Sequence, residues 1–281
     1  MSERIGYLGP PGTFTEEALL SLSIAKSAEL FPLGTVFDVI DQVQSGDLDR
    51  GMVPIENSIE GSVNVTLDAL AFHASRVVIQ HEVVRAIRHA LLARPDVSLE
   101  DIVAVCSHPH ATAQCRGFLT SRLPKAEIHA ANSTADAARE VAERPEAWAA
   151  IGSPLAAELN GLVVLENDIE DRTENVSRFV LLGRAATPVA PSGSDKTSVV
   201  CFIEKDRPGS LLAILHEFSD RQINLLKLES RPTKERLGEY CFFIDMEGHA
   251  AEPPVSHALA SLRTKILEVK VLGSYPRARD A

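Results

Sequence analysis

AATPVAPSGSD, residues 185–195, is where the chain changes character: Pro, Gly and Ser replace the periodic apolar residues found on either side. Such a stretch reads as a linker, and a chain of 281 residues has room for about two domains of roughly 150 residues each. Beyond it the signals follow closely. A strand is expected over 197–204, a helix after Pro208 and Gly209, strands over 223–229 and 239–246, a helix over 257–265 and a last strand over 267–272. Leu211, Leu212, Ile214, Leu215 and Phe218 form one helical stripe, while Tyr240, Phe242, Ile244 and Met246 alternate along one strand face. The order βαββαβ predicts a ferredoxin-like layer of two helices on a four-stranded antiparallel sheet with an exposed edge.

Before the linker, short apolar strands over 5–8, 51–54, 102–106, 127–131, 148–151, 162–165 and 178–182 alternate with amphipathic runs such as 135–141. This is the βα alternation of a doubly wound parallel sheet, so the N-terminal domain is α/β. The extended, turn-poor stretch 77–92 predicts a crossing between two lobes with a cleft between them.

Apolar residues are 45% and charged residues 24% of the chain, which excludes a disordered or fibrous protein. Twenty-eight Lys and Arg against 39 Asp and Glu give a net charge of −11, so neither nucleic acid nor an anionic membrane is an expected partner. The opening MSERIGYLGPPGTF carries no apolar leader, and no apolar run reaches the ~18 residues that span a bilayer. A cytoplasmic protein is expected. Cys106, Cys115, Cys201 and Cys241 sit in apolar stretches without a CxxC spacing, as reduced, buried thiols do.

Ligands of open α/β sheets bind beyond the carboxyl ends of strands, and here those ends carry Thr13 and Thr15, Asn57 and Ser58, Ser107, Ser133 and Thr134, and Ser153. Each alone is an ordinary helix cap. Together they predict helix N-termini converging on an anion that carries carboxylates or phosphate. Gly6, Gly9 and Gly12 are spaced GxxGxxG with Pro10 and Pro11 between them, which is not the dinucleotide fingerprint. Cys106, His108 and His110 alternate, but Pro109 reads as a first helical residue and no fourth ligand follows at a standard spacing. Neither a metal nor an organic cofactor is expected.

Six strings in order, YLGPPGTFT (7–15), VPIENSIEGSV (53–63), SHPHATAQC (107–115), NSTADAA (132–138), AAIGSPLAA (149–157) and NVSRFVLLG (175–183), resemble the prephenate dehydratase family. PGSLLAIL (208–215) and LESRPT (228–233) resemble the phenylalanine-binding ACT domain that follows in that family. The resemblance implies a two-lobed, periplasmic-binding-protein-like catalytic domain over 1–185, a linker over 186–195 and an ACT regulatory domain over 196–276. It implies conversion of prephenate to phenylpyruvate, with loss of water and carbon dioxide, and allosteric inhibition by phenylalanine.

Carried over position by position, the resemblance places Ser177 where the family has its essential Thr, as donor to the departing hydroxyl. It assigns Glu56, Asn57, Ser107 and Gln114 to the catalytic set, with Ser107 and Gln114 two helical turns apart on one side of a helix. Thr13, Ser133 and Thr134 are assigned to the substrate carboxylates, Arg178 to a bidentate carboxylate contact or else a salt bridge to Asp168 or Glu170, and Phe179 to the substrate wall or the core. Gly209, Ser210, Leu212, Asn224, Glu229, Ser230, Arg231 and Pro232 become the phenylalanine site, placed at a subunit interface of a homodimer or homotetramer. Two positions depart from the family pattern: Ser177 loses the methyl that restricts a Thr side chain, and His110 stands where Gln is usual. A non-catalytic ligand sensor is the alternative class, and the aminated analogue arogenate is an alternative substrate.

Overall fold

The computed structural model describes residues 2–203, 208–234 and 239–278. Its first lobe is a sheet in the order Glu29–Leu33, Arg4–Leu8, Arg50–Asn57, Val176–Arg184, Val77–Ala86, with the short strand Gly61–Ser62 folded back on Arg50–Asn57. The alternation of these strands divides their apolar residues between two faces. Ile5, Tyr7, Met52, Phe179 and Leu181 pack with Ala18 and Leu19 of the helix Phe14–Leu20. Val53, Val180 and Leu182 pack with Val39, Ile40 and Val43 of the helix Val36–Ser45.

The second lobe is a sheet in the order Val163–Glu166, Ala90–Ala93, Trp148–Gly152, Ala104–Ser107, Glu127–Ala130. The stretch expected to cross between lobes is two strands, Val77–Ala86 in the first sheet and Ala90–Ala93 in the second, with only Ile87, Arg88 and His89 between them. The chain returns through residues 167–175. This double crossing corrects the expectation of purely parallel sheets. Strands entered through helices run parallel to one another where they pair, but Ala90–Ala93 and Val176–Arg184 arrive straight from the other lobe and run antiparallel to their neighbours.

After Arg184 the chain is irregular until Asp195, which already belongs to the strand Asp195–Phe202. This strand joins Leu225–Pro232, Tyr240–Glu247 and Glu268–Pro276 in an all-antiparallel sheet whose centre is Tyr240–Glu247 and Asp195–Phe202. Glu204, at the end of the expected first strand, lies outside the described residues. Two helices, Ser210–Ser219 and Pro253–Leu262, cover one face through Ile214, Phe218, Val255 and Leu259 against Val199, Phe242, Ile244 and Met246.

The other face of this sheet does not meet water. Val200, Cys241, Phe243, Leu272 and Tyr275 join the first lobe's own core beside Leu70, Val77 and Ile79. Gly273 permits the approach: a Cβ there would lie 2.2 Å from the Ile79 carbonyl oxygen.

Candidate active site

Between the lobes lies a cleft of about 340 Å³. Its lining includes Thr13, Asn57, Gln114, Ser133, Thr134, Ser177 and Phe179, together with Glu60, His89, His108, His110 and Asn175. No lysine or arginine is among the described residues that line it.

Ser177 pairs in register with Asn57 on the neighbouring strand. The Asn57 Nδ2 donates to Ser177 Oγ at 2.9 Å and to Asn175 Oδ1 at 2.7 Å, while its Oδ1 accepts from the amides of Ile59 and Glu60, both at 2.9 Å. Ser177 is thus an acceptor toward Asn57, and among the described residues no acceptor for its own proton lies within reach. The bonding continues into the second lobe. Asn175 Nδ2 donates to Gln114 Oε1 at 2.9 Å, and Gln114 Nε2 donates to Glu60 Oε1 at 3.1 Å. His89 Nε2 lies 3.1 Å from the same Gln114 Oε1, and His110 Nδ1 lies 3.5 Å from Glu60 Oε2. Burial, the largest influence, lowers the pKa of both His89 and His108.

The facing wall consists of helix beginnings. Ser133 caps the helix Thr134–Glu143, accepting from the Asp136 amide and donating to the Asp136 carboxylate, each at 2.9 Å. Its hydroxyl is therefore committed to the cap, and the Thr134 hydroxyl and the free first-turn amides remain for a ligand. Thr13 caps the helix Phe14–Leu20 through the Glu16 amide. Ser153 Oγ donates to the Gly12 carbonyl at 3.0 Å and ties the two lobes beside the cleft.

Three of the residues expected in the site are directed elsewhere. Glu56 and Arg178 are strand neighbours of Asn57 and Ser177, so their side chains emerge on the opposite face, toward the C-terminal domain. There Arg178 Nη1 meets Asp245 Oδ2 at 2.7 Å and Glu82 Oε2 at 3.3 Å, and its Nε meets Glu56 Oε2 at 3.2 Å. Glu56 Oε1 meets Lys227 Nζ at 3.1 Å. Neither Asp168 nor Glu170 pairs with Arg178; both hold Arg88. Burial opposes the charge of Asp245, but Arg178, Ser198 and Lys196 outweigh it and hold the carboxyl below its usual range. The third is Ser107, which is fully buried and donates to the Ile151 carbonyl at 2.7 Å. It ends the strand Ala104–Ser107, ahead of the helix Pro109–Gln114, and so shares no helix face with Gln114. Phe179 lines the cleft and packs in the core beneath. Cys106 faces Glu140, and the described residues contain no cluster of His, Cys, Asp and Glu suited to a metal ion.

Glu60, Asn175 and Asn132 lie inside the strings quoted for the resemblance but were given no role there. His89 has no local signal, since it occupies the three-residue crossing between lobes.

A second hollow of about 610 Å³ is lined by Pro208, Gly209, Ser210, Leu211, Leu212, Leu215 and Phe242. Gly209 adopts a left-handed φ of 90° at the start of the helix Ser210–Ser219, a conformation that favours glycine. Ser230 pairs with Phe242 in register. Alternation sends Glu229 and Arg231 to the other face, where Glu229 accepts from Ser62 and Arg231 binds Asp68 at 2.7 Å, so both hold the first lobe instead of this hollow. Pro232 pairs with Tyr240 at the end of the strand. Asn224 bonds Glu247 through its carbonyl at the strand's opposite end and is likewise apart from the hollow.

The family model described as prephenate dehydratase matches residues 5–187, and the one described as ACT domain matches residues 197–263. The chain is 42% identical over 276 residues to a prephenate dehydratase of Amycolatopsis methanolica, covering 98% of this chain and 89% of that protein. It is also 42% identical over 275 residues to a bifunctional chorismate mutase/prephenate dehydratase of Aquifex aeolicus, covering 98% and 74%. The crystal structure of prephenate dehydratase in complex with L-Phe from Arthrobacter aurescens superposes with a TM-score of 0.92 at 42% identity, covering 98% of this chain and 90% of that one.

Proposed function

Because this chain belongs to the prephenate dehydratase family, we propose that the interlobe cleft is where prephenate loses water and carbon dioxide, with Ser177 directing a proton toward the departing hydroxyl. The protein converts prephenate to phenylpyruvate and is feedback-regulated by phenylalanine through its ACT domain. The observation that carries the assignment of Ser177 is its 2.9 Å bond from Asn57, which leaves the serine proton uncommitted on the cleft side.

Prephenate carries a carboxylate and a hydroxyl at opposite ends of a cyclohexadiene ring, and losing both makes the ring aromatic. As the ring C–C bond to the carboxylate breaks, its electron pair enters the ring and the hydroxyl leaves with a proton as water. A serine hydroxyl is a weak acid, so Ser177 acts by donating a hydrogen bond that orients the departing hydroxyl, and the proton that completes the water comes from solvent. The absence of Lys and Arg from the described lining suits this chemistry: a guanidinium paired with the ring carboxylate would stabilise the charge that must disappear as carbon dioxide. Pro54, Ile87, Phe179 and Phe14 offer that carboxylate an apolar surface, while the Thr134 turn receives the other; the Thr13 hydroxyl, expected there too, already donates to the Leu8 carbonyl at 3.3 Å and shapes the wall instead.

Phenylalanine is assigned to the hollow at Gly209, Ser210, Leu212 and Phe242. Phe242 shares the strand Tyr240–Glu247 with Asp245, which grips Arg178 beside Ser177, so a shift of that strand reaches the catalytic strand through one buried ion pair. The strand Leu225–Pro232 ends the sheet with Leu228 exposed on it and Tyr240 exposed on the adjacent strand, which suits pairing of two chains in a homodimer or homotetramer. Four free, buried cysteines fit a reducing cytoplasm. The test is to incubate the protein with prephenate and follow phenylpyruvate absorbance, alongside a folded Ser177→Ala variant. Turnover by the parent and its loss in the variant are expected; no turnover by the parent, or equal turnover by both, overturns the assignment.

A further inference from the structure

Asn57, Asn175 and Gln114 are carboxamides, and an isolated carboxamide has no preference for which end donates. In the cleft all three point one way. Gln114 Nε2 donates to Glu60, Asn175 Nδ2 to Gln114 Oε1, and Asn57 Nδ2 to Asn175 Oδ1 and Ser177 Oγ. Turning Gln114 or Asn175 alone would set two donors or two acceptors face to face.

The Ile59 and Glu60 amides set the direction at Asn57, and two groups hold it at the Gln114 end. The Glu60 carboxylate can only accept. His89 Nε2 faces Gln114 Oε1, an oxygen already taking a proton from Asn175, so the imidazole is the tautomer with its hydrogen on Nε2. Its Nδ1 is buried without a partner. The ring cannot readily turn: the residue is 3% exposed, its ring lies edge-on to Phe14 at 5.6 Å between centroids, and its backbone N–H is bound to Glu170 Oε2 at 2.9 Å.

We propose that His89 and Glu60 are positioning residues that fix the polarity of the Gln114–Asn175–Asn57 amide chain and thereby keep Ser177 an acceptor toward Asn57 and a donor toward substrate. Without them Gln114 and Asn175 can reverse, the Asn175 amide group then confronts the Asn57 amide group, and Asn57 is displaced from Ser177. The amides of Ile59 and Glu60 still hold Asn57 Oδ1, so the loss is partial. This inference rests on the reading of Ser177 as the donor.

The test is steady-state kinetics with prephenate on the full chain. His89→Phe retains a ring against Phe14 and removes the donor to Gln114; it is expected to lower kcat about tenfold, the worth of one buried hydrogen bond, with KM changed by less than about twofold. His89→Gln supplies an N–H again and is expected to recover kcat to within about threefold of the parent. Glu60→Ala, on a partly exposed side chain whose replacement leaves the core untouched, removes the acceptor for Gln114 and should reproduce the low kcat and unchanged KM. The inference is overturned if His89→Phe and Glu60→Ala keep the parent kcat, if KM rises while kcat holds, or if His89→Gln is no better than His89→Phe. Ser177→Ala in the same series separates the two readings. If it is inactive while the His89 and Glu60 variants are unaffected, only this inference fails, and if it is fully active the reading of Ser177 fails with it.

Discussion

Replacing Asn57 by Asp tests the cleft at its most connected residue. The change is nearly isosteric and retains the oxygen that accepts from the Ile59 and Glu60 amides, so the loop after the strand Arg50–Asn57 is kept. The donor Nδ2 becomes a carboxylate oxygen facing Asn175 Oδ1 at 2.7 Å and Ser177 Oγ at 2.9 Å. Neither short hydrogen bond survives in its present direction, and as they stand the two are worth about 2 kcal/mol together. Asn175 can relieve the clash only by turning its amide, which gives up its 2.9 Å bond to Gln114, about 1 kcal/mol more. Ser177 now has an anionic acceptor for its proton and turns away from the substrate. If most of this ~3 kcal/mol is felt in the transition state, kcat falls roughly 100-fold, with a smaller effect on KM. Phenylpyruvate formation from prephenate at neutral pH measures it, with circular dichroism to confirm the fold. A variant within about threefold of the parent kcat would refute the proposed role of the Asn57–Ser177 bond.

Ser177→Ala should lower kcat at least ~100-fold with little change in KM, whereas Ser177→Thr should hold or raise the rate because the added methyl restricts the hydroxyl rotor; equal kinetics for all three proteins would contradict the assignment. Gly209→Val forces a branched side chain into a left-handed backbone, so phenylalanine should inhibit several-fold less well while the uninhibited kcat stays within about twofold, which dose–response curves will show. Asp245 has a lowered pKa in the folded protein, so its contribution to stability is full above the unfolded carboxyl value of about 4 and disappears as pH falls through the lower folded value. As pH falls below about 4, melting temperatures should therefore drop more steeply for the parent than for Asp245→Asn, and parallel curves would count against the buried pair with Arg178.

The secondary-structure elements were legible because their signals are local. A linker is a composition, a strand is a period of two and a helix a period near 3.6, and each is visible within about ten residues, as in Leu211 to Phe218 or Tyr240 to Met246. The polar residues at strand ends were legible for the same reason, and the cleft brings Thr13, Asn57, Gln114, Ser133, Thr134 and Ser177 together. Which layer covers each face of a strand is not local. Alternation alone says that Asn57 and Glu56 diverge, as do Ser177 and Arg178, but the face of Arg178 became an interdomain contact because Asp245, 67 residues further along, arrives to neutralise it. Glu229 and Arg231 were drawn away from the Ser230 face in the same manner, by Ser62 and Asp68 of the first lobe. Ser107 lies one step too deep, where a neighbouring strand takes its proton. His89 carries no pattern at all, and its place beneath Gln114 exists only because the chain crosses between lobes there. Backbone periodicity, set by neighbours in sequence, determined the elements and their apolar faces. The partner presented to each polar face depends on how distant segments stack, and that was decided by the tertiary structure alone.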